Sequence, residues 1–292
     1  MKKKILIIGA SGMIGSALVN FLSKSDEFSI FGSIRSLYTS NFFNKFNNIK
    51  IFNNIKLENT NSLLSVIKLI SPDIVINCAG VVKQSKEIRN RYNTIFLNSL
   101  FPHYLFQLSS KHNFRLIHIS TDCVFSGNKG NYSETDYTDA NDFYGLTKLL
   151  GEIKYGNSIN IRASLIGHEI KKKQGIVEWF LSQDGNVEGY KKAIFSGLTS
   201  VEFARIICEN IISNHNLKGL YHISSNPISK HDLLLLIKKI YNKTSINIIS
   251  SNKIIINRSL NSSNFQNHTG YLPKDWPQMI KEMKETYSNF KI

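Results

Sequence analysis

The chain has 292 residues, 42% of them hydrophobic, which suits one large domain with a smaller lobe. Its formal net charge of +15 is dispersed, with the densest cluster at residues 171–173, so a concentrated nucleic-acid interface is excluded. The three cysteines are scattered and form no CxxC pair, which excludes a disulfide framework and a structural zinc site. The apolar runs are too short for a secretion signal or a membrane span, so we expect a cytoplasmic protein.

The first half of the sequence alternates short apolar runs with amphipathic stretches. Strands are expected at residues 4–8, 29–34, 74–77, 115–120 and 158–162. Helices are expected at residues 13–23, 61–70 and 94–112, and from about Asp142 onwards. Strands and helices that alternate at this spacing predict a parallel sheet with right-handed crossovers. The predicted fold class is α/β, with a Rossmann-type doubly wound parallel sheet.

The pattern becomes irregular after Gly167, where a second lobe is expected to begin. The elements expected in this half are a short helix at 176–182, a helix from 199 or 200 to 212, a strand at 219–224 that returns to the sheet, a helix capped by Ser229, strands near 246–250 and 253–256, and a terminal helix after Pro277. We therefore assign residues 1–165 and 198–224 to the Rossmann domain. Residues 166–197 and 225–292 are assigned to a small α+β substrate-binding lobe.

A glycine-rich turn follows the first predicted strand and opens the first predicted helix. Its sequence is Gly9-Ala10-Ser11-Gly12-Met13-Ile14-Gly15. In a turn of this kind the first glycine permits the tight bend, the second lets the backbone approach a pyrophosphate, and the third lets the helix pack against the sheet. The amides at the helix N-terminus then face the phosphates. The turn predicts a dinucleotide site in which Gly9, Ser11, Gly12, Met13, Ile14 and Gly15 contact the cofactor.

The residues after the second strand indicate which dinucleotide is bound. NAD-binding proteins of this type place a carboxylate there for the ribose hydroxyls, whereas this chain has Arg35 followed by Ser36. A guanidinium and a hydroxyl suit a 2′-phosphate. NADP(H) is therefore the preferred cofactor, and NAD(H) remains possible.

A YxxxK pair, Tyr144 and Lys148, lies near the start of a predicted helix, where positions i and i+4 share one face. An ammonium group beside a phenol favours the phenolate, so we expect Lys148 to lower the pKa of Tyr144. Tyr144 can then exchange a proton with a substrate oxygen. Upstream, the strand that ends at Thr121 brings a hydroxyl to the carboxyl edge of the sheet, where open parallel sheets bind ligands.

Four segments together resemble the extended short-chain dehydrogenases. These segments are the glycine turn, Asn77-Cys78-Ala79-Gly80, Ser120-Thr121-Asp122-Cys123-Val124-Phe125 and Tyr144-Gly145-Leu146-Thr147-Lys148. Within that group, Ser-Thr-Asp-x-Val-Phe-x-Gly is similar to the pattern of dTDP-4-dehydrorhamnose reductases and related nucleotide-sugar 4-ketoreductases. A weaker similarity continues at residues 257–262, which resemble the Arg-Pro-x-Asn-Ser segment that contacts the sugar nucleotide in that family, although the Pro-x spacing is not kept.

The resemblance implies a catalytic triad of Thr121, Tyr144 and Lys148. Tyr144 would donate the proton, Thr121 would hydrogen-bond the same carbonyl, and Lys148 would also bind the nicotinamide ribose. Cofactor contacts are further implied for Cys78, Ala79, Gly80 and Asn98, the last as a helix residue that orders the proton relay.

Substrate contacts are expected around the same strand end, from Thr121, Asp122 and Val124. Lys83 and Arg258 suit the substrate phosphates. Trp179 suits either stacking on a substrate base or packing in the core, and the sequence leaves both open. His118 lies inside an apolar strand and is expected to pack in the core. The eight histidines show no paired spacing, so no catalytic metal is expected.

The resemblance implies NADPH-dependent reduction of the 4-keto group of a 6-deoxyhexose carried on dTDP or UDP, for surface polysaccharide biosynthesis. Related 4,6-dehydratases have a Glu in place of Cys123, and a thiol of ordinary pKa does not replace that base. Residues 167–180 and 194–197 resemble reductases that make N-acetylated deoxysugars. Two alternatives stay open, an NAD-bound nucleotide-sugar epimerase and a non-catalytic regulatory subunit related to that of methionine adenosyltransferase. A homodimer is possible, and the sequence decides neither the oligomeric state nor the sugar.

Overall fold

A computed structural model describes residues 2–170 and 174–288, apart from the side chains of residues 38 and 40. The basic cluster at residues 171–173 lies outside the described residues. The described strands are β1 (Lys3–Ile8), β2 (Phe28–Ser33), β3 (Ile49–Phe52), β4 (Ile74–Asn77), β5 (Arg115–Thr121), β6 (Ser158–Ala163), β7 (Leu165–Ile166), β8 (Gly185–Tyr190), β9 (Ala193–Phe195), β10 (Leu198–Thr199), β11 (Gly219–His222), β12 (Ile228–Ser229), β13 (Ile246–Ser251) and β14 (Ile256–Asn257).

The described α-helices are α1 (Met13–Leu22), α2 (Thr60–Ile70), α3 (Arg91–Ile95), α4 (Phe101–His112), α5 (Phe143–Leu150), α6 (Ile176–Leu181), α7 (Ser200–Ile206), α8 (Lys230–Ile240), α9 (Ser263–Thr269) and α10 (Trp276–Ser288). A π-helical segment, Phe96–Leu100, joins α3 to α4, and another, Ile207–Ile212, extends α7. Short 3-10 segments lie at Leu37–Lys45, Lys86–Arg89 and Asp122–Val124. Among the helices in the described ranges, none combines the length and hydropathy that a bilayer crossing requires.

A parallel sheet of seven strands forms the centre, in the order β11-β6-β5-β4-β1-β2-β3. The order reverses at β1, which pairs with β2 on one side and β4 on the other. Alternate residues of β1 are buried on opposite faces, with Ile5 and Ile7 in one apolar cluster and Leu6 and Ile8 in the other. The predicted α/β class with a doubly wound parallel sheet is confirmed. Ligands bind at such a reversal, beyond the carboxyl ends of the strands.

The second half adds small sheets beside the large one. These are β7 with β10, β8 with β13, and a three-stranded sheet in the order β12-β9-β14. Strand β9 runs antiparallel to β12 and parallel to β14, so residues from three separate parts of the sequence meet there. The predicted return of the strand at 219–224 is confirmed, because β11 pairs with β6. The proposed division into two domains remains a prediction.

Some elements differ from the sequence-based expectations. The edge strand β3 was not predicted, because it is short and lies between polar Asn residues. Helix α9 was not predicted either, because its composition is polar. The strand expected at 253–256 is instead the two-residue β14, and α10 begins at Trp276 rather than after Pro277. Proline is tolerated in the first turn of a helix, where its missing N–H has no intrahelical partner.

A buried ion pair connects α5 to the sheet. Arg162 on β6 donates to both carboxylate oxygens of Glu152, two residues beyond α5, at 2.7 Å each. Ser120 on β5 donates to the same carboxylate at 2.9 Å. Arg162 also lies 5.1 Å from the centre of the Phe125 ring. One carboxylate therefore joins β5, β6 and the end of α5.

Glu152→Ala should lower the free energy of unfolding by about 3–5 kcal/mol, because it leaves the Arg162 guanidinium buried without its partner. Urea denaturation measures the loss. The double variant Glu152→Leu with Arg162→Met should recover much of it, since neither charge is then left buried alone. A loss below about 1 kcal/mol for Glu152→Ala would show that water or another group replaces the carboxylate.

Candidate active site

The glycine turn lies between β1 and α1, at the reversal of the strand order. Gly9 has a φ of +77°, a conformation that strains other L residues, and a Cβ there would lie 3.1 Å from the amide nitrogen of Ala79. A Cβ at Gly15 would lie 2.7 Å from the Cα of Ala10, which is an overlap. These two positions therefore need glycine so that the turn can pack against its own helix and the segment after β4.

The N-terminus of α1 opens onto this turn. Its N-cap is Gly12, which has no side chain to cap the first amides of the helix. Met13 and Ile14 begin the helix, and Ser11 precedes the N-cap. Amides at an uncapped helix N-terminus attract anions, and phosphate is a suitable one.

Arg35 and Ser36 follow β2 at the same edge of the sheet. The Arg35 guanidinium pairs with the Glu87 carboxylate at 2.8 Å, and the hydrogen bond in this pair raises the pKa of Arg35. The Arg35 side chain remains 53% exposed. A ligand phosphate that reached Arg35 would therefore compete with Glu87 for it.

The segment after β4 is held by Asn98. Asn98 is fully buried, and its side-chain oxygen accepts a hydrogen bond from the Val81 amide at 2.8 Å. Its side-chain nitrogen donates to the Val81 carbonyl at 3.0 Å and to the Thr147 hydroxyl at 3.2 Å. Asn98 thus joins the segment of Cys78, Ala79 and Gly80 to α5. A direct cofactor contact by any of these four residues remains a prediction.

Thr121, Tyr144 and Lys148 meet at the carboxyl end of β5. Thr121 ends the strand, and its side chain lies near enough to the Tyr144 phenol to affect its pKa. The Lys148 amine donates to the carbonyl of Ile119 on the same strand at 2.8 Å. Asp142 caps α5 by accepting a hydrogen bond from the Gly145 amide at 2.9 Å, and this holds the helix start that carries Tyr144. The structure therefore brings the three predicted catalytic residues to one strand end.

The expectation that Lys148 lowers the pKa of Tyr144 is wrong for this structure. Burial raises the pKa of the phenol, and the nearby Cys123 and Asp122 act in the same direction. The contact with Thr121 lowers it only in part. The amine of Lys148 is directed at the Ile119 carbonyl, and burial outweighs any attraction that it exerts on the phenol. Tyr144 is therefore protonated at neutral pH.

Burial also shifts the pKa of Lys148, but in the opposite direction. Burial lowers its pKa to about 8, although the negative charge of Glu152 acts to raise it. The amine is therefore charged at neutral pH and becomes neutral in mildly alkaline solution.

Charged groups surround the strand end on the side of β14. Asp122 is buried, and its carboxylate accepts a hydrogen bond from the Thr121 hydroxyl at 3.1 Å. Arg258 donates to the Phe125 carbonyl at 2.8 Å and lies 3.9 Å from the Asp142 carboxylate. Lys83 pairs with the same Asp142 carboxylate at 2.8 Å. Lys83 and Arg258 thus share one acidic partner at the edge of the site.

Three other predicted positions have different environments. The Val124 side chain is fully buried in an apolar cluster with Phe125, so a substrate contact there is left to its backbone. Trp179 is 41% exposed, whereas Phe180 next to it is fully buried, so core packing applies to Phe180 and not to Trp179. His118 is buried and accepts a hydrogen bond from the Asn77 amide at 3.1 Å. The expectation of a packed core histidine is confirmed.

Lys230, which lies near the site, was not identified from the sequence. The ammonium group of Lys230, the first residue of α8, lies 3.6 Å from the centre of the Phe195 ring. Asp122 and Cys123 lie close enough to Lys230 to act on it electrostatically. The sequence around Lys230 indicates only a helix start, because Ser229 caps α8 by accepting a hydrogen bond from the Asp232 amide. Lys230 and Phe195 come close to Thr121 and Asp122 only when β9 pairs with β12 in the folded protein.

Lys148→Met should gain stability relative to the wild type at pH 7 and lose most of that gain by pH 10. The pKa of the folded amine, about 8, is below the 10.5 of the unfolded chain, so between these values the unfolded state binds more protons and the wild type becomes more stable as pH rises. The difference should change by about 2 kcal/mol between pH 7 and pH 10. Urea denaturation of both proteins at the two pH values measures it, and a difference that is independent of pH would contradict the shifted pKa.

A family model described as the RmlD substrate binding domain matches residues 2–164. Among curated relatives, the dTDP-4-dehydrorhamnose reductase of Aggregatibacter actinomycetemcomitans is 25% identical over 96% of this chain and 98% of its own. The methionine adenosyltransferase 2 subunit beta of Bos taurus is 21% identical over 83% of this chain and 73% of its own. The solved dTDP-4-dehydrorhamnose reductase of Bacillus anthracis in complex with NADP has the same fold, with a TM-score of 0.81 and 19% identity over 98% of this chain and 99% of that chain.

Proposed function

Because the chain belongs to the RmlD substrate binding domain family, we propose that it is an NADPH-dependent reductase of the 4-keto group of a nucleotide-linked 6-deoxyhexose. The observation that carries the proposal is the meeting of Thr121, Tyr144 and Lys148 at the end of β5, at the same edge of the sheet as the glycine turn. The similar reductase from Aggregatibacter actinomycetemcomitans supports the reaction class.

The residues present fit a bound NADP(H). Gly9 and Gly15 keep the turn free of side chains that would overlap the neighbouring backbone, and the glycine N-cap leaves the α1 amides open to a pyrophosphate. Arg35 would hold the 2′-phosphate in place of Glu87. Lys148 would bind the nicotinamide ribose. When bound, the cofactor supplies a hydride to the ketone carbon.

Tyr144 is the proton donor of the proposed reaction. A ketone that receives a hydride develops negative charge on its oxygen and needs a proton there. The raised pKa of Tyr144 keeps that proton on the phenol at neutral pH, so the enzyme is ready for reduction. Thr121, in reach of the phenol, would hydrogen-bond the same oxygen and hold the carbonyl in position. The charged Lys148 would stabilise the developing negative charge.

Cys123 supports reduction over elimination of water. Burial raises the pKa of its thiol to about 12, so it stays protonated and does not act as a base. A dehydratase would need a carboxylate at this position. Asp122 alone remains, and burial raises its pKa as well.

The sugar nucleotide would lie between the sheet edge and the lobe of residues 166–197 and 225–292. We assign its contacts to Thr121, Asp122, Lys83 and Arg258 and to the exposed Trp179. The carrier would be dTDP or UDP, the sugar a 4-keto-6-deoxyhexose with or without an N-acetyl group, and the product a precursor of surface polysaccharide.

A second candidate function is a non-catalytic regulatory subunit. The similarity to methionine adenosyltransferase 2 subunit beta over 83% of this chain favours it. The convergence of Thr121, Tyr144 and Lys148 favours the enzyme. Oxidation of NADPH with a sugar nucleotide distinguishes the enzyme from the regulatory subunit.

Tyr144→Phe should lower kcat roughly 100- to 10,000-fold and leave NADPH binding nearly unchanged, because it removes the acidic proton and keeps the ring. The assay supplies NADPH with a panel of dTDP- and UDP-linked 4-keto-6-deoxyhexoses and follows the loss of absorbance. Tyr137→Phe is the matched control, since Tyr137 is 87% exposed. If the wild-type protein oxidises no NADPH with any of these sugars, the proposed reductase function is contradicted and the regulatory subunit is favoured.

Arg35→Ala should weaken NADPH binding about 10- to 100-fold and leave NADH binding nearly unchanged, because only NADPH offers a 2′-phosphate to the guanidinium. Fluorescence titration with each cofactor measures both dissociation constants. Arg89→Ala, which removes another exposed arginine of the same region, is the control. An equal loss for the two cofactors would show that Arg35 does not read the phosphate.

A further inference from the structure

Two cations converge on the site from the second half of the chain. Lys230 follows β12 and Arg258 follows β14, and both of these strands pair with β9. Arg258 lies against Cys123, with its guanidinium 3.8 Å from the sulfur. Lys230 lies over the ring of Phe195, the last residue of β9, at 3.6 Å. The three-stranded sheet therefore delivers an amine and a guanidinium to the strand end that carries Thr121.

The protein provides different partners for the two cations. Arg258 and Lys230 repel each other, and Asp122 attracts both. Asp139 and Asp142 also attract Arg258, with Asp142 at 3.9 Å, so Lys230 is the less well paired cation. Asp122 is already bonded to the Thr121 hydroxyl. In the described part of the chain, the Lys230 amine makes no hydrogen bond to a carboxylate or carbonyl oxygen, and its close contact is the Phe195 ring. An aromatic face holds an ammonium group without using its N–H donors, so those donors remain available to a ligand.

We propose that Lys230 is a substrate-binding residue that acts with Arg258 to bind the diphosphate of the sugar nucleotide. An amine whose N–H donors have no oxygen partner, beside a guanidinium, suits a ligand with phosphate oxygens, and charge-assisted hydrogen bonds to those oxygens satisfy both cations. Phe195 positions the amine. The inference rests on the proposed function for the identity of the ligand and adds to it the residue that determines affinity for the nucleotide half.

Calorimetric titration with dTDP and with UDP tests this assignment, since each carries the diphosphate and lacks the sugar. Lys230→Met should weaken the tighter of the two about 10- to 100-fold, and Lys230→Arg should restore most of the affinity. NADPH binding should stay unchanged in both variants, which shows that they are folded. Lys239→Met, an exposed lysine on the same helix, is the matched control.

Three results would overturn the assignment. One is Lys230→Met binding dTDP and UDP as tightly as the wild type does. Another is a Lys230→Met variant that has a higher KM for the ketosugar nucleotide but binds nucleoside diphosphate normally, which would place Lys230 at the sugar. The third is wild-type protein that binds neither dTDP nor UDP. Binding that depends on Lys230 in a protein without reductase turnover would instead retain the diphosphate site and reject the proposed function.

Discussion

The candidate site depends on one buried ion pair. Glu152 lies just beyond α5, and its carboxylate is shared by Arg162 on β6 and Ser120 on β5. Thr121 follows Ser120, and Lys148 lies four residues before Glu152. The carboxylate thus sets the distance between the strand that carries the hydroxyl and the helix that carries the phenol and the amine. Because the pair is buried, breaking it is costly.

Much of the sheet and the nucleotide end could be predicted from the sequence, because local rules determine them. The apolar runs of β1, β4, β5 and β6 are buried on both faces, which gives a strong signal in a single sequence. The glycine turn could be predicted equally well, since the neighbouring backbone leaves no room for a side chain at Gly9 or Gly15. The caps at Asp142, Thr199 and Ser229 mark helix starts by their side chains alone.

In the second lobe, Arg258 was named from the resemblance of residues 257–262 to a family segment, but Lys230 could not be predicted, because its place at the site depends on long-range contacts. Lys230 and Arg258 reach Asp122 only through the pairing of β12 and β14 with β9. These strands have two or three residues each, too few to show a period of two. The pKa of Tyr144 was predicted in the wrong direction for a related reason. The spacing of Tyr144 and Lys148 gives their shared face, whereas burial, which dominates the shift, belongs to the folded molecule.

Burial acts on the two central groups of the site in opposite directions, and both shifts suit the proposed reduction of a ketone. Desolvation disfavours the charged form of any group, so it raises the pKa of the Tyr144 phenol and lowers that of the Lys148 amine. The phenol therefore keeps the proton that the proposed reaction requires. The amine, with a pKa of about 8, is still charged at neutral pH. A negative charge that develops on the substrate oxygen in this dry site is stabilised more strongly than in water, because the same low dielectric strengthens its attraction to the ammonium group. The environment that makes Lys148 costly to bury is thus the one that makes it effective.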